Sequence, residues 1–176
     1  MRVGIDVSQV QYQGTGVANY LLPLIAKLVE DEHHSYVLFY ASLRKKPPAK
    51  LLDLASRNNV LLQHVPLPSS AMNLLWNKLH IIPIEQFIGE VDIFISSDWT
   101  QPPVRVAKNA TILYDLIVYK YPEETDVSIV QTQRRRLRWV KEECDLVLCI
   151  SEATKKDAIE ILKLPEEKLR VVYPGI

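Results

Sequence analysis

Four short segments of this 176-residue chain place flexible backbone, hydroxyls and carboxylates where ligand chemistry is possible. Gly14, Thr15 and Gly16 stand just before a helical pattern. Glycines let a backbone come close to a ligand and leave amide N–H groups accessible, and a helix N-terminus adds partial positive charge, which suits a phosphate. A plain tight loop uses the same residues, and both readings stay open. Ser96, Ser97, Asp98, Trp99 and Thr100 mix hydroxyls, a carboxylate and an indole. That set suits a sugar, through hydrogen bonds and ring contact; the other reading is a capped turn with Trp99 packed inward. Asp115, following Tyr114, either accepts a ligand hydroxyl or caps the next turn. Ser151 and Glu152, with Thr154, open a helix as N-cap and first-turn carboxylate, an end at which ligand contact is also available.

A second kind of feature is charge. Arg134, Arg135, Arg136 and Arg138, with Lys141, fall on one predicted helix whose Leu137 and Val140 face inward. The run reads as a solvated face or as a patch for anionic lipid head groups. Arg44, Lys45 and Lys46 are a weaker version. His33 and His34 have no neighbouring ligand set, and Cys144 and Cys149 match no zinc spacing, so no metal site is expected. The cysteines read as small buried hydrophobes in a reducing compartment.

These residues need elements to hold them. Continuous apolar runs predict strands over 3–7, 36–40, 60–65, 91–96, 110–114, 146–150 and 168–173. Helical spacing predicts helices over 17–29, 49–56, 71–88 with a break at Pro83, 128–143 and 152–162. A long loop is expected from the end of the fifth strand to about residue 126. The alternation implies an α/β, Rossmann-like, doubly wound and mostly parallel sheet in three layers, α/β/α. Ligands of such sheets bind beyond the carboxyl ends of the strands, where all four segments above fall.

Composition narrows the function. Lys plus Arg and Asp plus Glu are 21 each, so net charge is zero and no nucleic-acid partner is expected. No stretch approaches the roughly 20 apolar residues of a membrane span, and the first residues enter a strand directly, so a soluble, cytoplasmic domain is expected. A nicotinamide-dependent oxidoreductase is a poor fit. Position 19 is Asn where the dinucleotide fingerprint has its third glycine, and no acidic residue ends the second strand.

The pattern resembles the N-terminal domain of a GT-B-fold retaining glycosyltransferase of family 4 (glycosyl transferases group 1, mannosyltransferase-like). Three segments carry the resemblance: Gly14 to Tyr20; Tyr114 to Ile117 with Tyr121, Pro122 and Glu123; and Cys144 to Asp157 continuing through Leu164 to Gly175. It implies transfer of a sugar, such as mannose or glucose, from a nucleotide-sugar to a glycan or lipid-linked acceptor with retention of configuration, without a metal or other cofactor. It implies that residues 1–176 are the acceptor-side domain, with Gly14, Thr15 and Gly16 facing the donor diphosphate. Tyr114 and Asp115 fall at the family's catalytic His-Asp position, tyrosine replacing histidine. The donor-binding domain, which carries the family's paired glutamates, is not within residues 1–176, so the chain by itself is expected to be inactive. Arg134, Arg135 and Arg138 would then serve peripheral contact with the inner membrane face. The competing reading is a stand-alone Rossmann-like binding or scaffold module without catalysis.

Overall fold

The computed structural model describes residues 1–175. Its strands are β1 (Arg2–Asp6), β2 (Ser35–Ala41), β3 (Val60–Val65), β4 (Ile93–Ser96), β5 (Lys108–Leu113), β6 (Leu146–Cys149) and β7 (Leu169–Val171). They form one sheet in the order β3-β2-β1-β4-β5-β6-β7, every pair parallel. The expected Rossmann-like architecture is therefore present, and all of the described pairings are parallel.

The helices are α1 (Gly16–Leu28), α2 (Ala49–Ala55), α3 (Ser69–Met72), α4 (Glu85–Ile88), α5 (Ile117–Lys120), α6 (Val127–Glu143) and α7 (Glu152–Glu160). Right-handed crossovers send α1 and α2 to one face of the sheet and the later helices to the other. On the first face Leu21, Ile25 and Leu51 pack on Val3, Ile5, Tyr36 and Leu38. On the second, Trp76, Ile84 and Ile88 pack on Val37, Phe39 and Phe94, while Leu137, Val140 and Ala158 pack on Val147 and Cys149. Both cysteines are free and buried, and burial pushes their thiols up, to about 12 for Cys144 and about 11 for Cys149.

Two stretches differ from the sequence reading. The helix expected over 71–88 is three pieces: α3, a π-helical segment (Asn73–Lys78), and α4 after a break. His80 and Ile82 hold positive φ of 53° and 65°, conformations that cost energy for residues with a Cβ. His80 is pinned there by stacking on Trp139 at 3.7 Å, by the Trp76 carbonyl at 2.8 Å and by Glu143 at 2.8 Å. Tertiary contacts have overridden the helical period. The loop expected before residue 126 contains α5, whose single turn is too short to show a period.

The strand order reverses between β1 and β4, the topological switch point at which such sheets take ligands. Gly4, in β1 next to this point, has no room for a side chain. A Cβ there would lie 2.7 Å from Ile88 Cδ1 and 3.0 Å from Phe94 Cδ2.

Candidate active-site cleft

At the switch point a cleft of about 270 Å³ opens, lined by Gln9, Tyr12, Thr15, Val17, Asp98 and Trp99. It joins the glycine loop after β1 to the loop after β4. The glycine loop is built as its residues require. Gly14 has φ of 83°, which a residue with a Cβ seldom adopts. Thr15 is the N-cap of α1; its Oγ1 accepts from the Ala18 amide at 3.3 Å and donates to the Tyr12 carbonyl at 2.8 Å. Gly16 is the first residue of the helix. The first-turn amides of a helix have no intrahelical carbonyl, so this end of the cleft offers N–H groups and partial positive charge.

The opposite wall is held by a buried polar network that the sequence did not announce. Ser96 Oγ lies 2.6 Å from Gln101 Oε1 and 2.7 Å from Thr111 Oγ1, and Gln101 Nε2 donates to Asn109 Oδ1 at 2.9 Å. Asn77 Nδ2 donates to the Trp99 carbonyl, and Gln133 Nε2 to the Asp98 carbonyl at 2.8 Å. Asp98 and Trp99 are thus fixed by their backbone while their side chains, half-buried, line the cleft.

Arg136 is the keystone, and it corrects the sequence reading. It belongs to no surface patch: it is 1% exposed. Its Nη2 donates to the Ser97 carbonyl at 2.8 Å, Thr111 Oγ1 at 2.8 Å and the Ile112 carbonyl at 3.0 Å, tying β4 to β5 at their carboxyl ends. The reason is helical geometry: Gln133, Arg136, Leu137 and Val140 share one face of α6, and all four are buried. Inclusion of position 136 in the inward stripe at i+3 from Gln133 was the available signal; the run of arginines obscured it. Arg134, Arg135 and Arg138 are exposed as expected. Arg134 covers the Tyr119 ring, and Arg138 pairs with Glu142 at 3.0 Å.

Burial governs the charges here. Asp6, at the end of β1, is buried and accepts from the Ser8 amide at 2.9 Å. Desolvation raises its pKa above the usual carboxylate value, against the lowering pull of Ser8 and Arg136. Desolvation likewise raises that of Asp98, opposed by Arg136. Arg136 balances two carboxylates at a distance instead of contacting one.

Other site residues expected from sequence lie differently. Tyr114 is buried, its ring edge-on to Tyr20 with centroids 5.4 Å apart, and its hydroxyl has no hydrogen-bond partner. The aromatic pair holds it in the core, so it does not line the cleft, contrary to a direct role on a sugar. Asp115 is exposed and braces the turn into α5, its Oδ1 accepting from the Ile117 amide at 3.0 Å. Thr100 is 1% exposed, which removes it from the accessible acceptor-binding set. Ser151 is the N-cap of α7, accepting from the Thr154 amide at 3.1 Å, with exposed Glu152 in the first turn. Gln9, Tyr12 and Val17 line the cleft without having been singled out in the sequence; their types carry no chemical signature.

The chain is a parallel Rossmann-like sheet with its cleft at the switch point, between a glycine loop and an acidic-aromatic loop. The family model for Glycosyltransferase Family 4 matches residues 14–176, and the chain belongs to that family. Among solved structures, a glycosyltransferase from Rickettsia africae ESF-5 is similar over 99% of this chain and 43% of its own, at 14% identity and a TM-score of 0.51. Phytolacca americana UGT2, complexed with UDP-2fluoro-glucose and pterostilbene, is similar over 99% of this chain and 54% of its own, at 11% identity and a TM-score of 0.53. The chain thus spans about half the length of these two proteins, which share its fold. No curated protein matches it. Among the described residues no helix is long and apolar enough to cross a membrane.

Proposed function

We propose that this chain is the acceptor-side half of a glycosyltransferase that moves a hexose from a nucleotide-sugar to an acceptor hydroxyl with retention, in glycan or glycolipid synthesis. The observation that carries it is the cleft shared by the Thr15 helix end and the Asp98–Trp99 wall. The helix end suits a departing diphosphate, whose developing charge fixed N–H dipoles stabilise. Asp98 accepts a hydrogen bond from an acceptor hydroxyl, and Trp99 supplies an apolar surface for a sugar ring. UGT2 was seen with a UDP-sugar and a second small molecule together, the ligand classes this reading requires. The nucleotide-sugar wall comes from a second domain, and no metal takes part.

The test is steady-state kinetics in the longer polypeptide. Asp98→Asn and Trp99→Ala each lower kcat/KM for the acceptor about tenfold, the loss of roughly 1.4 kcal/mol, with KM for the donor unchanged. Residues 1–176 alone turn over no donor. An unchanged acceptor kcat/KM in both variants would remove Asp98 and Trp99 from the acceptor site. A non-catalytic binding module is the second reading, favoured by the buried Tyr114 hydroxyl at the position where the family places its catalytic imidazole.

The acceptor is lipid-linked in this reading, and Arg134, Arg135 and Arg138 meet an anionic membrane surface. Each exposed cation near such a surface contributes about 1 kcal/mol. Replacing all three by Gln lowers partitioning onto phosphatidylserine-containing vesicles at least about tenfold and weakens its salt dependence. Partitioning equal to the wild type would refute the contact.

A further inference from the structure

The loop that joins β2 to α2 leaves the sheet at its carboxyl edge, beside the glycine loop. It carries Arg44, Lys45 and Lys46, and Lys50 follows in the first turn of α2. In a chain of zero net charge, residues 42–52 hold these four cations and no carboxylate. All four are exposed. Among the described residues, none of them lies within ion-pair distance of an acidic side chain, whereas Lys27, Lys108, Lys120 and Lys155 each have such a partner.

The loop is firmly held. The hydroxyl of buried Tyr40 lies 3.3 Å from the Lys45 carbonyl and 3.2 Å from the Lys46 carbonyl. Ser42 Oγ accepts from the Lys45 amide at 3.0 Å and donates to Gln11 Oε1 at 3.2 Å. Pro47 and Pro48 fix φ at its far end. The cations are thus keyed to the turn that leads from β1 into the glycine loop. Lys45 Nζ donates to the Gln11 carbonyl at 3.3 Å and sits 4.8 Å from the centroid of the Tyr12 ring, and Tyr12 lines the cleft. Lys50, with Gln13, Gly14 and Asn19, lines a second cavity, of about 230 Å³, against the same glycine loop.

A solvated charged run accounts for the exposure of these residues. It does not account for a lysine folded back over the cleft's own tyrosine by two partners, neither of which neutralises it. An ammonium has three donors, and the Gln11 carbonyl takes one. The remaining donors and the charge stand at the edge of the cleft. Lys46 and Lys50 add to the positive potential there, and a concave mouth focuses it.

We infer that Lys45, with Lys46 and Lys50, forms an oxyanion site at the edge of the cleft, and that the acceptor carries a phosphate or carboxylate group which this site reads. The site itself stands on the geometry of the loop; its assignment to the acceptor rests on the acceptor-side reading of the cleft. An anionic acceptor lying on Tyr12 and Trp99 meets Lys45, and a neutral one leaves the charge unused. Lys45 is therefore a specificity-determining residue. The donor diphosphate belongs to the helix end at Thr15, a separate anion position.

The test is an amide NMR titration of the polypeptide as its source cell makes it. The titrants are inorganic phosphate and, separately, acetate, each against sodium chloride at matched ionic strength. The expected result is saturable shifts at amides 12 and 44–46 with at least one titrant; acetate binding marks a carboxylate acceptor, and phosphate binding alone a phosphorylated one. Lys45→Gln weakens that binding at least about fivefold, while Lys45→Arg, which keeps the charge, stays within about twofold of the wild type. Shifts no larger than those in sodium chloride overturn the site, and so do shifts that Lys45→Gln leaves unchanged. Amides 16–18 report the helix end separately. A response there with none at 44–46 removes this site and leaves the donor reading standing; the opposite pattern keeps this site and counts against the donor reading. In transfer assays, the part of the oxyanion's inhibition that Lys45→Gln abolishes is competitive with the acceptor. If that part is competitive with the donor instead, the acceptor is not what the site reads.

Discussion

At the scale of single residues, Arg136 decides the geometry of the cleft. A guanidinium taken wholly out of water is costly, and it is retained where its donors are matched to fixed acceptors. Here one nitrogen bridges the Ser97 and Ile112 carbonyls and the Thr111 hydroxyl, so a single side chain joins β4, β5 and α6. Replacing it with Ala leaves those acceptors buried and unpaired and opens a cavity. Arg136→Ala therefore costs about 3 kcal/mol or more in urea denaturation. Lys lacks the planar fork, so Arg136→Lys recovers only part of this loss. A cost below about 1 kcal/mol for the alanine variant would mean that water replaces the guanidinium freely. Residues of this kind resist reading from sequence. Gly14 and Thr15 announced themselves, because a glycine before a capped helix has a local cause; Arg136, Gln101 and Asn77 act through partners up to 39 residues away, as Arg136 does with Ser97. Tyr114 shows the converse: its position after a buried strand was legible, whereas the rotation of its ring against Tyr20 was not.

At the scale of elements, the period of apolar residues located α1, α2, α6 and α7 within a few residues, and alternation of strand and helix gave the parallel sheet. It failed at α5, a single turn, and at residues 80–82, where stacking on Trp139 outweighs helix propensity. The placement of α4 depends on a void in β1. Gly4 lets Ile88 and Phe94 close over the strand, and any side chain must displace one of them. Gly4→Ala overpacks this contact and costs about 1–3 kcal/mol, read as a lowered midpoint of thermal unfolding. Since β1 also supports the start of the glycine loop, the same variant loosens the cleft. Hydrogen exchange of amides 8–16 should quicken in step with the fall in stability. Unchanged exchange in that loop would show that α4 and the cleft are mechanically independent.

At the scale of the whole molecule, the sheet divides the chain into a thickly covered face and a thinly covered one, and the two should differ in energetic weight. Val147 and Leu148 are successive residues of β6, pointing to opposite faces. Val147 is fully buried beneath α6 and α7, whereas Leu148 is only half-buried, packed against the cluster that holds Leu21 and Ile25 of α1. By side-chain size alone, truncating leucine to alanine should cost more than truncating valine, at about 0.8 kcal/mol per buried methylene. Cover reverses the order. In residues 1–176, Val147→Ala costs about 2 kcal/mol, including the cavity that the helices cannot collapse, and Leu148→Ala costs about 1 kcal/mol or less. The comparison is made by urea denaturation of both variants, with matched m-values so that both report the same transition. If Leu148→Ala instead costs more than Val147→Ala, the layer formed by α1 and α2 covers β6 as fully as α6 and α7 cover its other face.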